Sequence, residues 1–219
     1  MGPMSALETP EEFYARVLAA ADEERRLPVA VEEMPGWFIY PYEIDSLRIK
    51  PLEPMLDVEP DRRGEDPAEC RCATDDWAGS WPGPEDSVVW HDDDWRLLDA
   101  GDKLPAFLML QPRRHFDLHE MPDDLAARMG RLIVALTAAV ETLPSVGRCH
   151  VMKIGDGGAH LHWFFIARPA RIGQFRGSPL LDWEENLPSV PREVLAANAA
   201  AVVREFVRRV GGVASDPVA

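Results

Sequence analysis

The chain is poor in cysteine, has no dense group of basic residues and contains no long apolar run. Its three cysteines, Cys70, Cys72 and Cys149, are odd in number, which does not suit a set of disulfides. The opening residues MGPMSALETPEEF lack the basic-then-apolar order of a secretory signal, so we expect a cytoplasmic protein. No stretch reaches the roughly 18 consecutive apolar residues of a membrane-spanning helix, so we expect no membrane partner.

The net charge of the chain is strongly negative, −15 at pH 7. A field of this sign repels phosphate backbones, and no lysine or arginine cluster reverses it locally, so we expect no nucleic-acid partner. A small anionic ligand stays compatible with the sequence, because a pocket presents donors of its own. Apolar residues make up 46% of the chain, which predicts a packed core.

The first part of the chain reads as an extension with a single clear helix. Thr9, Pro10 and Glu12 form a capping-box start, and apolar residues then recur at helical spacing until Leu27 and Pro28. Residues 29–56 are rich in proline and aromatic side chains. Residues 57–69 are almost wholly charged, proline or glycine and predict a solvated linker. We divide the chain into an extension (1–66), a central domain (67–175) and a C-terminal extension (176–219).

The central region alternates short strands with one long helix. Segments 87–90, 95–98 and 106–111 predict an antiparallel meander, and Pro122 opens an amphipathic helix that ends near Pro144. Strands at 148–154 and 159–167 then flank a glycine-rich turn, and a last helix covers 191–210. This order predicts an α+β fold with an antiparallel sheet of about five strands, a long helix packed on it, and helical extensions at both ends.

The segment with the clearest chemistry contains two histidines. On a strand, His160, His162 and Phe164 share one face, and imidazoles about 6–7 Å apart can serve one site. An imidazole near neutral pH is a nucleophile or a general base, and the neighbouring Gly155–Gly158 offers backbone N–H groups to an anion. The same residues also fit a metal site, or ordinary polar positions beside a simple turn.

The order of the motifs resembles the histidine triad superfamily of nucleotide hydrolases and transferases. In that family a strand ending in P-[KR]-x-H leads to a helix, and a glycine-containing loop precedes an H-φ-H-φ-H strand. Here Pro112-Arg113-Arg114-His115 is followed by the helix from Pro122, by the glycine loop and by His160-Leu161-His162. The match covers about residues 70 to 170.

The resemblance implies roles for these residues. His162 stands where the family's nucleophile attacks the α-phosphorus of a nucleotide, and His160 stands where a histidine orients it. Backbone groups of Gly155, Gly157 and Gly158 would bind phosphate. The resemblance thus implies a hydrolase or nucleotidyl transferase that works on a nucleoside phosphate through a covalent nucleotidyl-histidine, with no cofactor, in a homodimer.

Two departures from the family pattern favour a different function. Phe164 occupies the third triad position and cannot donate a hydrogen bond, and the loss of one such donor costs on the order of 10²–10³ in rate. The loop also lacks the family's Gln-Ser/Thr pair. The alternative is therefore a degenerate domain that binds a nucleotide or a partner without turnover. The missing positive charge has four candidate sources, each of which also fits a plain structural or solvated position: Arg114, His115, Lys153 and Arg168.

Cys70 and Cys72 raise the question whether the chain binds a structural metal ion. Some bacterial family members bind structural zinc through Cys-x-x-Cys, an upstream histidine and the first triad histidine. Here Cys70 and Cys72 are one residue too close, and Phe107 stands near the position of the upstream histidine. We therefore expect free thiols and no metal. An unrelated metal-binding protein is a third alternative, but the sequence offers no clear third ligand.

Overall fold

The computed structural model describes residues 7–23, 25–28, 59–74, 77, 81–83, 87–178 and 180–215. Its strands are β1 (Val88–His91), β2 (Trp95–Asp99), β3 (Phe107–Pro112), β4 (Val146–Met152), β5 (Trp163–Pro169) and β6 (Val213–Ala214). Its α-helices are α1 (Pro10–Ala19), α2 (Asp123–Val140), α3 (Leu180–Glu184) and α4 (Arg192–Val210). The six strands form one antiparallel sheet in the order β4-β5-β3-β2-β1-β6. The α+β class is as predicted, with six strands instead of about five.

Alternation along the strands divides the side chains between two faces of the sheet. Trp95 and Leu97 of β2 join one hydrophobic core, while Arg96 and Leu98 point to the other side and line a cavity. Strand β3 repeats this division with Leu108 and Leu110 in the core. The predicted meander is therefore present. Because side chains alternate between the two faces of each strand, every second residue faces the cavity side of the sheet.

Two helices cover the core face. Asp123 and Asp124 lie in the first turn of α2, where their charge suits the helix dipole. The apolar stripe of α2 packs against the sheet and against α4, and each helix buries its own set of core residues: Leu132, Leu136 and Val140 on α2, Val202, Val203 and Phe206 on α4. Both predicted helices are present, and α4 ends at Gly211, as its sequence predicts.

A second, smaller core covers part of the opposite face. Phe13 and Val17 of α1 pack there with Ile166 of β5 and with Phe175, and Phe164 lies at the margin of this cluster. Beyond that margin the face is left open over β2 and β3, and the cavity occupies this place. The extension thus confines the open part of the sheet to the region beside His162.

Three segments differ from their predictions. Helix α1 ends at Ala19 instead of near Leu27, because the Asp22 N–H donates to the Arg26 carbonyl (2.9 Å) in a turn that a continued helix excludes. Strand β5 begins at Trp163 instead of residue 159, because the Leu161 N–H donates to the Phe116 carbonyl (2.8 Å) and not to a neighbouring strand. The link between β4 and β5 is therefore longer than the predicted four-residue hairpin.

The predicted linker is only partly described. Most side chains from 59 to 69 are exposed, as predicted, but this stretch is fixed to the glycine loop: the Arg63 carbonyl accepts from the Ala159 N–H (3.1 Å). The aromatic segment 29–56 and residues 57–58 lie outside the described residues. Among the described helices, none has both the length and the apolar character to cross a membrane.

Candidate functional site

The open part of the sheet holds a cavity of about 510 Å³. His160, His162 and Phe164 line it together, as the predicted shared face requires, although both histidines precede strand β5. Leu98 and Met109 form an apolar floor. The outer wall comes from six residues, of which the first three lie in the predicted linker: Arg63, Gly64, Glu69, Cys70, Arg71 and Trp77.

The ring of His162 is oriented by a main-chain group. Its Nδ1 lies 2.9 Å from the His160 carbonyl oxygen. Because a carbonyl only accepts hydrogen bonds, Nδ1 carries the proton of the neutral ring and Nε2 keeps its lone pair. The His160 carbonyl thus orients the His162 ring, and the nitrogen that keeps a lone pair is Nε2.

Phe164 packs against the same imidazole. Its ring lies edge-on to His162, with centroids 5.2 Å apart, and edge-on to Phe107 at 5.7 Å. These contacts are apolar and supply neither a proton nor a hydrogen bond. The third triad position therefore closes one side of the His162 ring with hydrocarbon.

His160 has both ring nitrogens engaged. Its Nε2 donates to the Pro112 carbonyl (2.9 Å), so the Nδ1 of the neutral ring carries a lone pair, and this Nδ1 lies 3.6 Å from Cys70 Sγ. Burial lowers the pKa of His160 to about 4. The ring is therefore neutral near pH 7 and presents a ligand atom to the cysteine.

Four side chains meet at this point, and we call them the Cys/His cluster: Cys70, Cys72, His115 and His160. One ligand atom from each lies within 4.8 Å of all the others, and Cys72 Sγ is 3.7 Å from His115 Nδ1. Burial raises the pKa of the Cys72 thiol to about 12, with Cys70 as a further cause. The two thiols that the sequence interpreted as free thus lie beside two imidazoles.

Two sulfur-to-nitrogen distances in the cluster, 3.6 Å for Cys70–His160 and 3.7 Å for Cys72–His115, are those of ligands on one tetrahedral zinc ion. Bonds of about 2.3 Å to sulfur and about 2.0 Å to imidazole place two such ligands roughly 3.6 Å apart. The second histidine of the cluster is His115, whereas Phe107, which was expected near the position of the upstream histidine, packs on Phe164. The sequence did contain a signal for this histidine, because His115 is the last residue of the Pro112-Arg113-Arg114-His115 motif.

The three glycines proposed for phosphate differ in their surroundings. A Cβ on Gly158 would lie 4.0 Å from His162 Cε1, and among these three only Gly158 lines the cavity. A Cβ on Gly155 would meet Lys153 Nζ at 2.3 Å, and Gly157 faces open space. Of these three glycines, Gly158 is therefore the one that lies beside the His162 ring.

The buried carboxylate of Asp117 helps to hold the Gly155–Gly158 loop in place. Asp117 accepts from Arg62 Nη1 (2.7 Å) and pairs with Lys153 Nζ (3.2 Å), and Arg62 also donates to the Gly155 carbonyl (3.3 Å). Burial alone would raise the pKa of Asp117, but hydrogen bonds from Arg62, Leu118 and Lys153 hold it well below its usual range. Asp117 thus joins the 59–74 segment to the glycine loop.

None of the four side chains predicted to supply positive charge lines the cavity. Arg114 stacks on Phe116, with Cζ 5.2 Å from the ring centroid, and Lys153 is paired with Asp117. His115 belongs to the Cys/His cluster, and Arg168 donates to the Pro169 carbonyl (3.0 Å) at the end of β5. The arginines that do line the cavity are Arg63, Arg71 and Arg96, which the sequence analysis did not single out.

Arg96 forms part of the cavity wall. Its guanidinium lies 3.3 Å from the ring centroid of Trp77 and donates twice to Gln111 Oε1 (3.1 and 2.9 Å) and once to the Pro82 carbonyl (2.9 Å). Gly83, at φ +103°, permits this packing, since a Cβ there would meet Arg96 Nη1 at 2.9 Å. The buried guanidinium therefore builds and stiffens the wall.

Comparison with known proteins identifies a similar fold. No protein-family model matches the chain, and no curated protein is significantly similar. A histidine triad protein from Bradyrhizobium japonicum is 16% identical with a TM-score of 0.46, over 54% of this chain and 89% of that one. One from Marinobacter aquaeolei is 21% identical with a TM-score of 0.42, over 56% and 89%. A zinc-bound histidine triad family protein from Mycobacterium smegmatis is 16% identical with a TM-score of 0.39, over 61% and 91%. The chain is thus similar in structure to these histidine triad proteins over somewhat more than half of its length.

Proposed function

We propose that this chain is a nucleotide-phosphate hydrolase or nucleotidyl transferase in which His162 is the nucleophile. The observation that carries the proposal is the hydrogen bond between His162 Nδ1 and the His160 carbonyl. It leaves the lone pair on Nε2 of a residue that lines the cavity, beside the Gly158 backbone. A volume of about 510 Å³ is within the range of small-molecule sites.

In the first step, the lone pair of His162 Nε2 attacks phosphorus. The P–N bond forms as the bond from phosphorus to the leaving oxygen breaks, and the leaving group departs with the electron pair. The imidazole becomes positively charged, and its Nδ1–H bond to the His160 carbonyl stabilises that charge. In the second step, the oxygen of water or of another hydroxyl acceptor attacks phosphorus. The P–O bond forms as the P–N bond breaks, the electron pair returns to Nε2, and the proton of the acceptor is released to solvent.

The alternative is nucleotide binding without turnover. The observation that favours it is the apolar contact of Phe164 with His162, which leaves no donor at the third triad position. A bound nucleotide would then lie beside the oriented His162 ring, but Phe164 would donate no proton or hydrogen bond to its leaving group. Both functions use the same cavity, and the difference between them is a covalent adduct.

We propose in addition that the Cys/His cluster holds a zinc ion. Its four protein ligands would complete a tetrahedral shell and leave no open position, so the ion would serve structure and not chemistry at phosphorus. It would fix His160, whose carbonyl in turn orients His162. The predicted homodimer, the cytoplasmic location and the absence of a nucleic-acid partner remain predictions.

The first experiment is intact-mass detection of a nucleotidyl adduct. The protein is incubated with a dinucleoside polyphosphate, a nucleoside phosphoramidate and a nucleotide sugar. We expect one nucleotidyl mass on the wild type, none on His162→Ala, and an unchanged adduct on His91→Ala, a histidine of β1 outside the cavity. A wild type that binds these nucleotides but never gains mass supports the binding-only alternative.

A further inference from the structure

The cavity wall carries charge opposite to that of the chain as a whole. Arg63, Arg71 and Arg96 line it with one carboxylate, Glu69, in a chain of net charge −15. Inside a partly enclosed site, the charges of these nearby arginines dominate over the negative potential of the rest of the chain, because the cleft focuses the local electric field. The wall therefore favours an anionic ligand next to His162.

Arg63 differs from Arg96 in what its side chain does. The guanidinium of Arg96 is buried and bonded to Gln111 and Pro82, whereas the side chain of Arg63 is exposed. Within the part of the chain that the structure describes, the Arg63 guanidinium forms no hydrogen bond, ion pair or ring contact. This cation is thus available to a ligand.

The main chain of Arg63 is nevertheless firmly placed. Its carbonyl accepts from the Ala159 N–H (3.1 Å), and the residue forms a parallel bridge with Gly158. A Cβ on Gly158 would lie 3.9 Å from the Arg63 carbonyl oxygen and 4.0 Å from His162 Cε1. Arg63 and the His162 ring therefore flank the same glycine, and a side-chain substitution at Arg63 leaves the backbone bonds in place.

We propose that the Arg63 guanidinium binds the phosphate of the substrate and stabilises the negative charge on the leaving oxygen. This inference rests on the proposed function of His162. It would place at the reacting phosphate a cation that Phe164 cannot provide. A guanidinium forks onto two phosphate oxygens at once, which also fixes the phosphorus for attack by Nε2.

The identity of the residue also selects the substrate. An arginine keeps its protons in proteins, so Arg63 stabilises an anionic leaving group but cannot protonate an amine. The site therefore suits nucleoside phosphates whose leaving group departs as a phosphate anion, such as nucleoside polyphosphates and nucleotide sugars. A phosphoramidate, whose amine must take up a proton as it leaves, is disfavoured.

The test is calorimetric titration of ADP, adenosine and inorganic phosphate into wild type, Arg63→Gln and Arg131→Gln. Arg131 is an exposed arginine on α2, on the other side of the sheet, and is the matched control. We expect Arg63→Gln to weaken ADP and phosphate binding by about 10- to 100-fold, to leave adenosine unchanged, and to keep the melting temperature. Arg131→Gln should match the wild type throughout.

The outcomes separate this inference from the proposed function. ADP affinity within about twofold of wild type in Arg63→Gln overturns the role of Arg63, whether or not the wild type forms the His162 adduct. Loss of ADP affinity without any adduct supports Arg63 and contradicts the catalytic proposal. In adduct formation we expect the wild type to favour a dinucleoside polyphosphate over a phosphoramidate, and the opposite preference overturns the leaving-group argument.

Discussion

The imidazole of His162 owes its tautomer to a main-chain carbonyl two residues earlier. The His162 ring is therefore oriented although the imidazole of His160 is directed elsewhere, toward Pro112 and Cys70. That His160 and His162 share one cavity could be predicted, because both stand out in an apolar segment, and their catalytic roles stay predictions. Their partners could not be predicted, because Pro112 and Cys70 are 48 and 90 residues away from His160 in the chain.

Phe164→His tests the third triad position. The substitution exchanges an aromatic contact with Phe107 for a proton donor beside His162, so we expect a lower free energy of unfolding, by about 1–2 kcal/mol. Turnover of a nucleoside phosphoramidate should rise by about one to two orders of magnitude, because the amine now receives a proton. Chemical denaturation and steady-state assays measure the two effects.

Phe107→His is the matched control for this change. It breaks the same aromatic pair, but Phe107 does not line the cavity. The control should lose stability without a gain in turnover. Equal activity in wild type and Phe164→His would mean that the leaving group needs no acid at this position.

At the scale of elements, the sequence predicted most of the fold correctly. The meander, α2 and α4 follow from local periodicity, which records which face of each element is buried. The start of β5 was wrong because the Leu161 N–H bonds to Phe116 outside the sheet, a contact that no local pattern reports. The attachment of the 59–74 segment to the glycine loop was not predicted for the same reason. The segment is mostly charged and exposed, and only a few of its groups, such as the Arg63 carbonyl and the Arg62 side chain, bond to the loop.

Asp117→Asn tests the attachment of that segment. Asp117 is buried and bonded to Arg62 and Lys153, so the amide should lower the free energy of unfolding at pH 7 by about 1–3 kcal/mol. The folded pKa of Asp117 lies below its unfolded value of about 3.9, so this stability is complete above that pH and is lost as pH falls. The gap between wild type and Asp117→Asn should therefore close below about pH 4.

Thermal unfolding across a pH series measures this effect. Asp156→Asn, which changes an exposed carboxylate of the glycine loop, is the control, and its stability should equal that of the wild type at every pH. A constant gap between Asp117→Asn and wild type from pH 7 down to about pH 2 would contradict the electrostatic explanation and indicate a loss of packing instead.

At the scale of the whole molecule, the proposed zinc ion would join three separate stretches of chain. Its ligands come from residues 70–72, from the segment after β3 and from the segment before β5. An ion that binds the folded state alone adds its binding free energy to stability. Chelation should therefore lower the melting temperature of the entire domain by several degrees.

Cys70→Ser and Cys149→Ser separate the cluster from a general thiol effect. Cys149 lies on β4, outside the cluster, and burial raises the pKa of its thiol to about 12. We expect one zinc per chain in wild type and Cys149→Ser by elemental analysis, and loss of zinc with reduced stability in Cys70→Ser. Wild type that stays metal-free in zinc-supplemented medium would rule out the ion.

The bond between Arg62 and the Gly155 carbonyl joins residues 93 positions apart, and the Cys70 to His160 contact spans 90. Closing loops of such length costs entropy before any contact repays it, so local structure such as the β1–β2 hairpin is expected to form sooner. A chain whose synthesis has stopped before His160 already contains β1 to β4 and α2. It lacks His162, the proposed nucleophile, and has only three of the four cluster ligands. The proposed nucleophile and the complete Cys/His cluster are thus acquired late in synthesis, after β1 to β4 have been made.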